Sequence, residues 1–232
     1  MNETIIERYE SIQNRIEKAC QNCGRDSSEI LLVAVSKTKP DEDITKLLDH
    51  GQLHFGENRA KALEDRMQRV TNPEIIWHFI GNLQTNKIKY MADRVDWIQS
   101  VHKKKALKEI EKRASRAGRE INVLIQVNIS REDQKSGCHP DDLEKILSYA
   151  RELKHTKVRG LMGMATFTDD TESVRPEFAK LRSLKEKHMH LSKGSVDLKH
   201  LSMGMTNDLE VAIEEGSTMV RIGTAIFGER NY

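Results

Sequence analysis

The strongest constraint on this chain is a repeating alternation. Eight short runs rich in Val and Ile, at residues 30–36, 52–55, 75–80, 95–101, 121–129, 158–164, 196–201 and 219–227, are separated by segments whose apolar residues fall on one helical face. Brief apolar runs bounded by glycine or charged clusters read as buried strands, and recurrence every three or four residues reads as amphipathic helix. The helical faces include Ala60-Leu63-Met67-Val70, Leu107-Ile110-Ala114-Ala117 and Leu143-Ile146-Leu147-Ala150-Leu153. One more amphipathic helix, carried by Ile5, Tyr9, Ile12, Ile16 and Ala19, precedes the first strand. Pro40 and Pro140 stand directly before Asp41-Glu42 and Asp141-Asp142, as first-turn prolines with dipole-favoured carboxylates do.

Strands alternating with helices give parallel βαβ units with right-handed crossovers. Eight such units favour an α/β fold of one kind, a single (β/α)8 TIM barrel with an extra N-terminal helix, over an open doubly wound sheet. The 232 residues allot about 29 to each unit, against about 31 in a barrel of ordinary length, so the loops are short and residues 1–232 read as a single domain. A formal charge of +2 leaves no electrostatic footprint for nucleic acid. The longest apolar run, residues 30–35, is far too short for a membrane span. The charged first ten residues lack a secretory signal and the three cysteines make no disulfide framework, which makes the cytoplasm the expected compartment.

In a barrel of this kind chemistry belongs at the carboxyl ends of the strands. The first strand ends Val33-Ala34-Val35-Ser36-Lys37, and alternation puts Lys37 on the side of Val33 and Val35, at the mouth. Desolvation there eases loss of its proton, and a neutral amine can form a Schiff base with an aldehyde. The plainer reading is a lysine snorkelling from a strand end, and Lys39, just before Pro40, is a competing amine. After the last two strands come Ser202-Met203-Gly204 and Gly223-Thr224, small residues in the two loops where barrels often hold phosphate. Arg221 lies within the last strand. It either pairs with a buried carboxylate or aims its guanidinium at a ligand near the barrel axis. Asn58 and the 81–87 loop could face that ligand as well, although Asn82 or Thr85 equally suits a helix cap.

The segments Leu32-Val33-Ala34-Val35-Ser36-Lys37-Thr38-Lys39-Pro40, His54-Phe55-Gly56-Glu57-Asn58, His78-Phe79-Ile80-Gly81-Asn82-Leu83-Gln84-Thr85-Asn86-Lys87, Leu201-Ser202-Met203-Gly204-Met205 and Val220-Arg221-Ile222-Gly223-Thr224 occur in that order across nearly the whole chain. Together they closely resemble the YggS/PROSC family of pyridoxal-phosphate-binding proteins, which is itself similar to the barrel domain of alanine racemase. The resemblance implies that Lys37 carries pyridoxal 5′-phosphate as an internal aldimine. It further implies that Ser202, Gly223 and Thr224 hold the phosphate, that Arg221 faces the pyridine nitrogen, and that Asn58 lies beside the cofactor. It also implies a monomer working in vitamin B6 homeostasis, with apo pyridoxal-phosphate enzymes as possible recipients.

Arginine only donates, so a ring nitrogen facing Arg221 stays unprotonated and the cofactor is a weak electron sink. A two-base racemase also needs a base on the opposite ring face, yet Tyr9, Tyr90 and Tyr149 fall on or beside helices, Tyr232 is the last residue given, and a second domain to supply that base is not expected. The expectation is therefore a carrier with at most weak racemase-like activity. A racemase-like enzyme is the first alternative. From another class, a Schiff-base aldolase acting on a phosphorylated sugar would put its lysine on a later strand. Weaker features read as structural: the Cys20/Cys23 spacing, Cys138-His139, Lys103-Lys104-Lys105 at a helix start, and His188, His190 and His200. Lys135 is expected as a second contact near the cofactor.

Overall fold

A computed structural model of the chain describes residues 3–130 and 136–229. Among these, eight parallel strands pair in sequence order and close on themselves: β1 (Leu31–Val35), β2 (His54–Glu57), β3 (Ile76–Phe79), β4 (Trp97–Val101), β5 (Ile121–Gln126), β6 (Thr156–Met162), β7 (Val196–Ser202) and β8 (Met219–Ile222). Closure runs through β8 against β1, with Leu31 opposite Met219 and Val33 opposite Arg221. The (β/α)8 barrel read from the alternation is the fold observed. Helices α1 (Ile5–Cys23), α2 (Asp41–Asp49), α3 (Ala60–Arg69), α4 (Lys104–Arg116), α5 (Leu143–Ala150), α6 (Arg175–His188), α7 (Leu209–Glu214) and α8 (Thr224–Phe227) surround it, and a 3-10 segment at Thr85–Tyr90 stands between β3 and β4.

Two of the expected runs end three or more residues early. The last, read as continuous to residue 227, stops at Ile222, because Gly223 turns the chain into α8. The fifth stops at Gln126, beyond which Val127 makes only an isolated bridge to Cys138. The first of these differences shapes the barrel mouth, because it places a helix start where strand was expected.

The main core lies between barrel and helices, where Ile44, Leu63, Leu107 and Phe178 are fully buried against outward faces such as those of Phe55 and Ile98. A second apolar cluster, Leu124, Met162 and Met219 with Leu31, Trp97 and Met164 packed on it, sits apart from that core. The pleat puts alternate residues inward. Other inward positions are polar, with His78, Gln99, Gln126, Ser202 and Arg221 all buried.

The extra helix α1 begins with a capping box, in which Thr4 Oγ1 accepts from Glu7 N–H and Glu7 Oε2 accepts from Thr4 N–H. It ends at Gly24, whose φ of 67° suits a residue without Cβ. Its arginines reach the elements that follow β7 and β8. Arg8 Nε donates to Ile226 O at 2.8 Å, while Arg15 donates to Thr206 O at 2.8 Å and pairs with Glu210. The helix thus braces the two loops where the anion cup was expected. No helix among the described residues is long and apolar enough to cross a membrane.

Candidate anion site at the barrel mouth

Lys37 follows β1 at its carboxyl end, and the turn that carries it is tightly held. Lys39 N–H donates to Ser36 O at 3.0 Å, and Thr38 takes a left-handed φ of 64°, uncommon for a β-branched residue. Beneath the turn lies Arg66 of α3, nearly buried, whose Nη2 donates to Lys39 O at 2.8 Å and whose Nη1 donates to Asp41 Oδ1 at 2.9 Å. Its Nε lies 3.0 Å from Oε1 of the buried Glu57, an ion-pair contact without hydrogen-bond alignment. Burial pushes the Glu57 carboxyl above the ordinary carboxylate range, while Arg66, the Ser36 hydroxyl and Lys37 pull it back. Lys39 is otherwise engaged: its Nζ donates to the carbonyls of Phe227, Gly228 and Glu229 at 3.0, 2.8 and 2.7 Å.

A cavity of about 350 Å³ opens at the mouth, and Lys37, Asn58, Arg221, Gly223 and Thr224 all line it. Five of the six expected residues, read from three separate strand ends, therefore converge. Lys37, Lys39 and Arg221 bring three cationic side chains to this lining, and among the described residues it contains no carboxylate. A second cavity of about 650 Å³ shares Lys37, Met205, Thr206 and Thr224 and extends outward past Phe167, an exposed aromatic.

Arg221 is 5% exposed. Its Nη1 donates to Ser202 Oγ at 2.6 Å and its Nη2 to Gly163 O at 3.1 Å, and among the described residues no carboxylate lies within ion-pair distance. The buried ion pair considered from sequence is thus not what holds it. Burial lowers its pKa to about 10, against a weaker opposing pull from Asp208. A buried cation whose partners are neutral retains donors and net charge for a ligand in the cavity it faces.

The loops that follow β7 and β8 supply main chain to the same space. Gly204 has φ +97°, and a Cβ there would stand 2.6 Å from Ala212 Cβ, so the turn after β7 needs glycine. Met205 N–H is tied to Asp208 Oδ1. On the other side, the first N–H groups of α8 precede any acceptor within the helix. Ser202 is placed differently from the other five. Its hydroxyl is fully buried, donates to Gln99 Oε1 at 2.6 Å, and stands behind Arg221 rather than in the cavity lining. Asn58 is brought close by Gly81, where a Cβ would fall 1.9 Å from Asn58 O.

The remaining sequence features fall elsewhere. Lys135 and Tyr232 lie outside the described residues. Tyr9, Tyr90 and Tyr149 do not line the mouth cavity. Cys20 and Cys23 sit on α1, the latter against Ala19 O, and no group of three or more metal-ligating side chains occurs among the described residues. Lys104 stands over the Tyr149 ring. His188 is buried against Leu184 O and His190 is exposed. Sequence reading passed over Gln99 and Met164. Gln99 left a usable signal, a polar residue inside an apolar run, which when buried needs partners.

Comparison with known proteins gives a consistent result. Residues 8–231 match the family described as "Alanine racemase, N-terminal domain". A protein of Aquifex aeolicus named pyridoxal phosphate homeostasis protein is 42% identical over 226 residues, covering 97% of this chain and 98% of its own. A protein of the same name from Pasteurella multocida is 42% identical over 232 residues, covering 99% of both chains. Among solved structures, PipY of Synechococcus elongatus, determined with PLP bound, superposes with a TM-score of 0.84 at 30% identity, covering 97% of this chain and 100% of its own.

Proposed function

The chain belongs to the pyridoxal phosphate homeostasis family built on the alanine racemase N-terminal domain, and from that premise we propose that it binds pyridoxal 5′-phosphate covalently as a Schiff base on Lys37 and serves intracellular supply of that cofactor. One observation carries the reading. The cavity joins a strand-end lysine to a buried arginine with neutral partners, in a lining with three cations and no carboxylate. A phosphorylated aldehyde matches that set: its phosphate suits the cationic wall and the α8 start, and its aldehyde suits the Lys37 amine.

The protein residues divide the work. Lys37 provides the amine, held in register by the turn that Arg66 supports. Gly223 and Thr224 receive the phosphate at the start of α8, while Ser202 stands behind Arg221. Arg221 faces the ring nitrogen as a donor and keeps it unprotonated. Pyridoxal phosphate supplies an electron sink when bound, and an unprotonated ring weakens that sink. The site therefore favours holding the cofactor over fast carbanion chemistry. In the same reading the protein is a cytoplasmic monomer, and apo pyridoxal-phosphate enzymes accept the cofactor by exchange of amines. The aldolase alternative required an amine from a later strand, whereas the amines lining the cavity, Lys37 and Lys39, both follow β1.

Absorbance and borohydride reduction test the reading. The protein loaded with pyridoxal phosphate should show a Schiff-base band, and reduction followed by peptide mapping should place the adduct on Lys37. A Lys37→Ala variant that still forms a reducible adduct would refute the attachment. Transfer to a defined apo-enzyme, with a trap for free cofactor, tests delivery. Racemisation of a single L-amino acid at about 1 s⁻¹ or faster, an ordinary enzyme rate, would overturn the carrier reading.

A further inference from the structure

The polar residues inside the barrel are not scattered. From Arg221 the contacts run in one line: Arg221 Nη1 to Ser202 Oγ at 2.6 Å, Ser202 Oγ to Gln99 Oε1 at 2.6 Å, Gln99 Nε2 to His78 Nδ1 at 2.9 Å, and His78 Nε2 to His54 Nδ1 at 2.9 Å. The line crosses β8, β7, β4, β3 and β2. His54 lines a separate cavity of about 750 Å³, shared with Leu31 and Leu53 at the amino-terminal ends of the strands, so the chain joins the mouth to the opposite end of the barrel.

The direction of every bond follows from the first. A guanidinium can only donate, so Ser202 accepts from Arg221 and its single proton is free to go to Gln99 Oε1. That fixes the amide, whose NH₂ then donates to His78 Nδ1. A His78 that accepts at Nδ1 and stays neutral carries its proton on Nε2 and donates to His54 Nδ1, which in turn makes His54 an Nε2–H tautomer. Reversing any member would place two donors face to face or leave a buried hydroxyl proton without an acceptor, and either is costly where water is excluded. His78 is fully buried and stacked on Trp97, with ring centroids 5.5 Å apart and planes 9° apart, so it has no room to turn.

We propose that this one-way chain of Ser202, Gln99, His78 and His54 positions Arg221 toward the ring of the bound cofactor, and that it does so by holding both histidines as neutral Nε2–H tautomers. The inference rests on the cofactor reading above for its purpose, but not for its chemistry. Ser202, Gln99, His78 and His54 are positioning residues: the mouth cavity is lined by Arg221 and by none of these four. Burial keeps both imidazoles neutral, since it lowers His54 to about 4 and His78 well below the ordinary histidine value.

The experiment has an arm that needs no cofactor. In the apo-protein labelled with ¹⁵N-histidine, two-bond ¹H–¹⁵N spectra should show His54 and His78 as single Nε2–H tautomers. In Gln99→Glu, whose carboxylate cannot donate, His78 should change to Nδ1–H. An Nδ1–H or averaged signal for either ring in the wild type would overturn the chain. The second arm titrates pyridoxal phosphate into Gln99→Met and Ser202→Ala and records affinity and absorbance maximum. Affinity should fall about tenfold, the scale of one lost hydrogen bond to a charged group, with a shifted maximum and with the adduct still on Lys37. Wild-type affinity and an unshifted maximum in whichever of the two variants folds would overturn the positioning role. If the wild type takes up no pyridoxal phosphate, the proposed function fails, and the tautomers still decide whether the chain exists.

Discussion

Replacing Arg66 with Met tests how the lysine turn is built. Met keeps most of the stem volume of Arg66 and removes a guanidinium that touches Glu57, Asp41, Ser36 O and Lys39 O. The contact with Asp41 is partly replaceable, because Arg69 also holds that carboxylate at 2.6 Å. The contact with Glu57 is not, since Glu57 is 1% exposed and the Ser36 hydroxyl that donates to it brings no charge. Removing one member of a buried pair costs about 3–5 kcal/mol, chiefly as the penalty on the charge left behind, and that is a large share of a typical total of about 5–15 kcal/mol. The same logic sets the pH dependence. Burial already raises the Glu57 pKa and Arg66 lowers it, so loss of Arg66 raises it further. A group whose folded pKa lies above its unfolded value contributes fully below the unfolded value and loses that contribution as pH rises through the folded one. The deficit of Arg66→Met relative to wild type should therefore be larger at about pH 7 than at about pH 5. Guanidinium denaturation at both pH values, with Glu57→Gln and the double variant, completes the cycle. The double variant should recover part of the loss, because a neutral amide no longer needs the guanidinium. A loss below about 1 kcal/mol in Arg66→Met, or a double variant less stable than Arg66→Met, would refute the argument that the Glu57 charge is what Arg66 is there to meet.

Three other outcomes are expected. Lys39→Met should keep the Schiff-base band and lower stability by about 1–2 kcal/mol, through loss of an ammonium bonded to three carbonyls at the end of α8; loss of the band would make Lys39 the attachment site. Gly81→Ala should weaken pyridoxal phosphate binding, because its Cβ would fall 1.9 Å from Asn58 O and displace the residue that lines the cavity; equilibrium titration checks it, and unchanged affinity would mean that the Asn58 backbone is not held by this contact. Acid should destabilise the fold through the interior histidines. Burial lowers His54 and His200 from 6.5 to about 4, so the unfolded state takes up their protons first, and stability present above about 6.5 should drain as pH falls toward about 4. Urea midpoints measured across that range should fall steadily in the wild type and less steeply in His54→Gln.

Much of the mouth is legible in the linear order of residues. Lys37, Arg221 and Gly223-Thr224 each sit at or beside a strand end, and in a closed parallel barrel every strand end faces one rim, so linear position converts directly into spatial convergence. The competition between Lys37 and Lys39 is not legible there. What bears on it is the three carbonyls of residues 227–229, which accept from Lys39 Nζ because the chain turns into a helix after Ile222. Ser202 shows the same limit in another form. Its place at the end of β7 suggests a phosphate donor, while its hydroxyl is taken up by Gln99 and Arg221 from other strands of the ring.

By itself, then, the sequence determined the periodicities, and through them the strand count, the parallel topology, the closed barrel and the rim on which the amine, the arginine and the small-residue loops stand. These follow from local rules, since the pleat and the helical turn fix which residues share a face within a few positions of one another. Only the tertiary structure decided which polar groups inside the ring meet. Gln99 and Ser202 are 103 residues apart, and His54 and His78 lie on adjacent strands of a closed ring. A hydrogen bond is set by angle and by tenths of an ångström, and such distances exist only after β8 has paired with β1 and brought the inward faces around one axis.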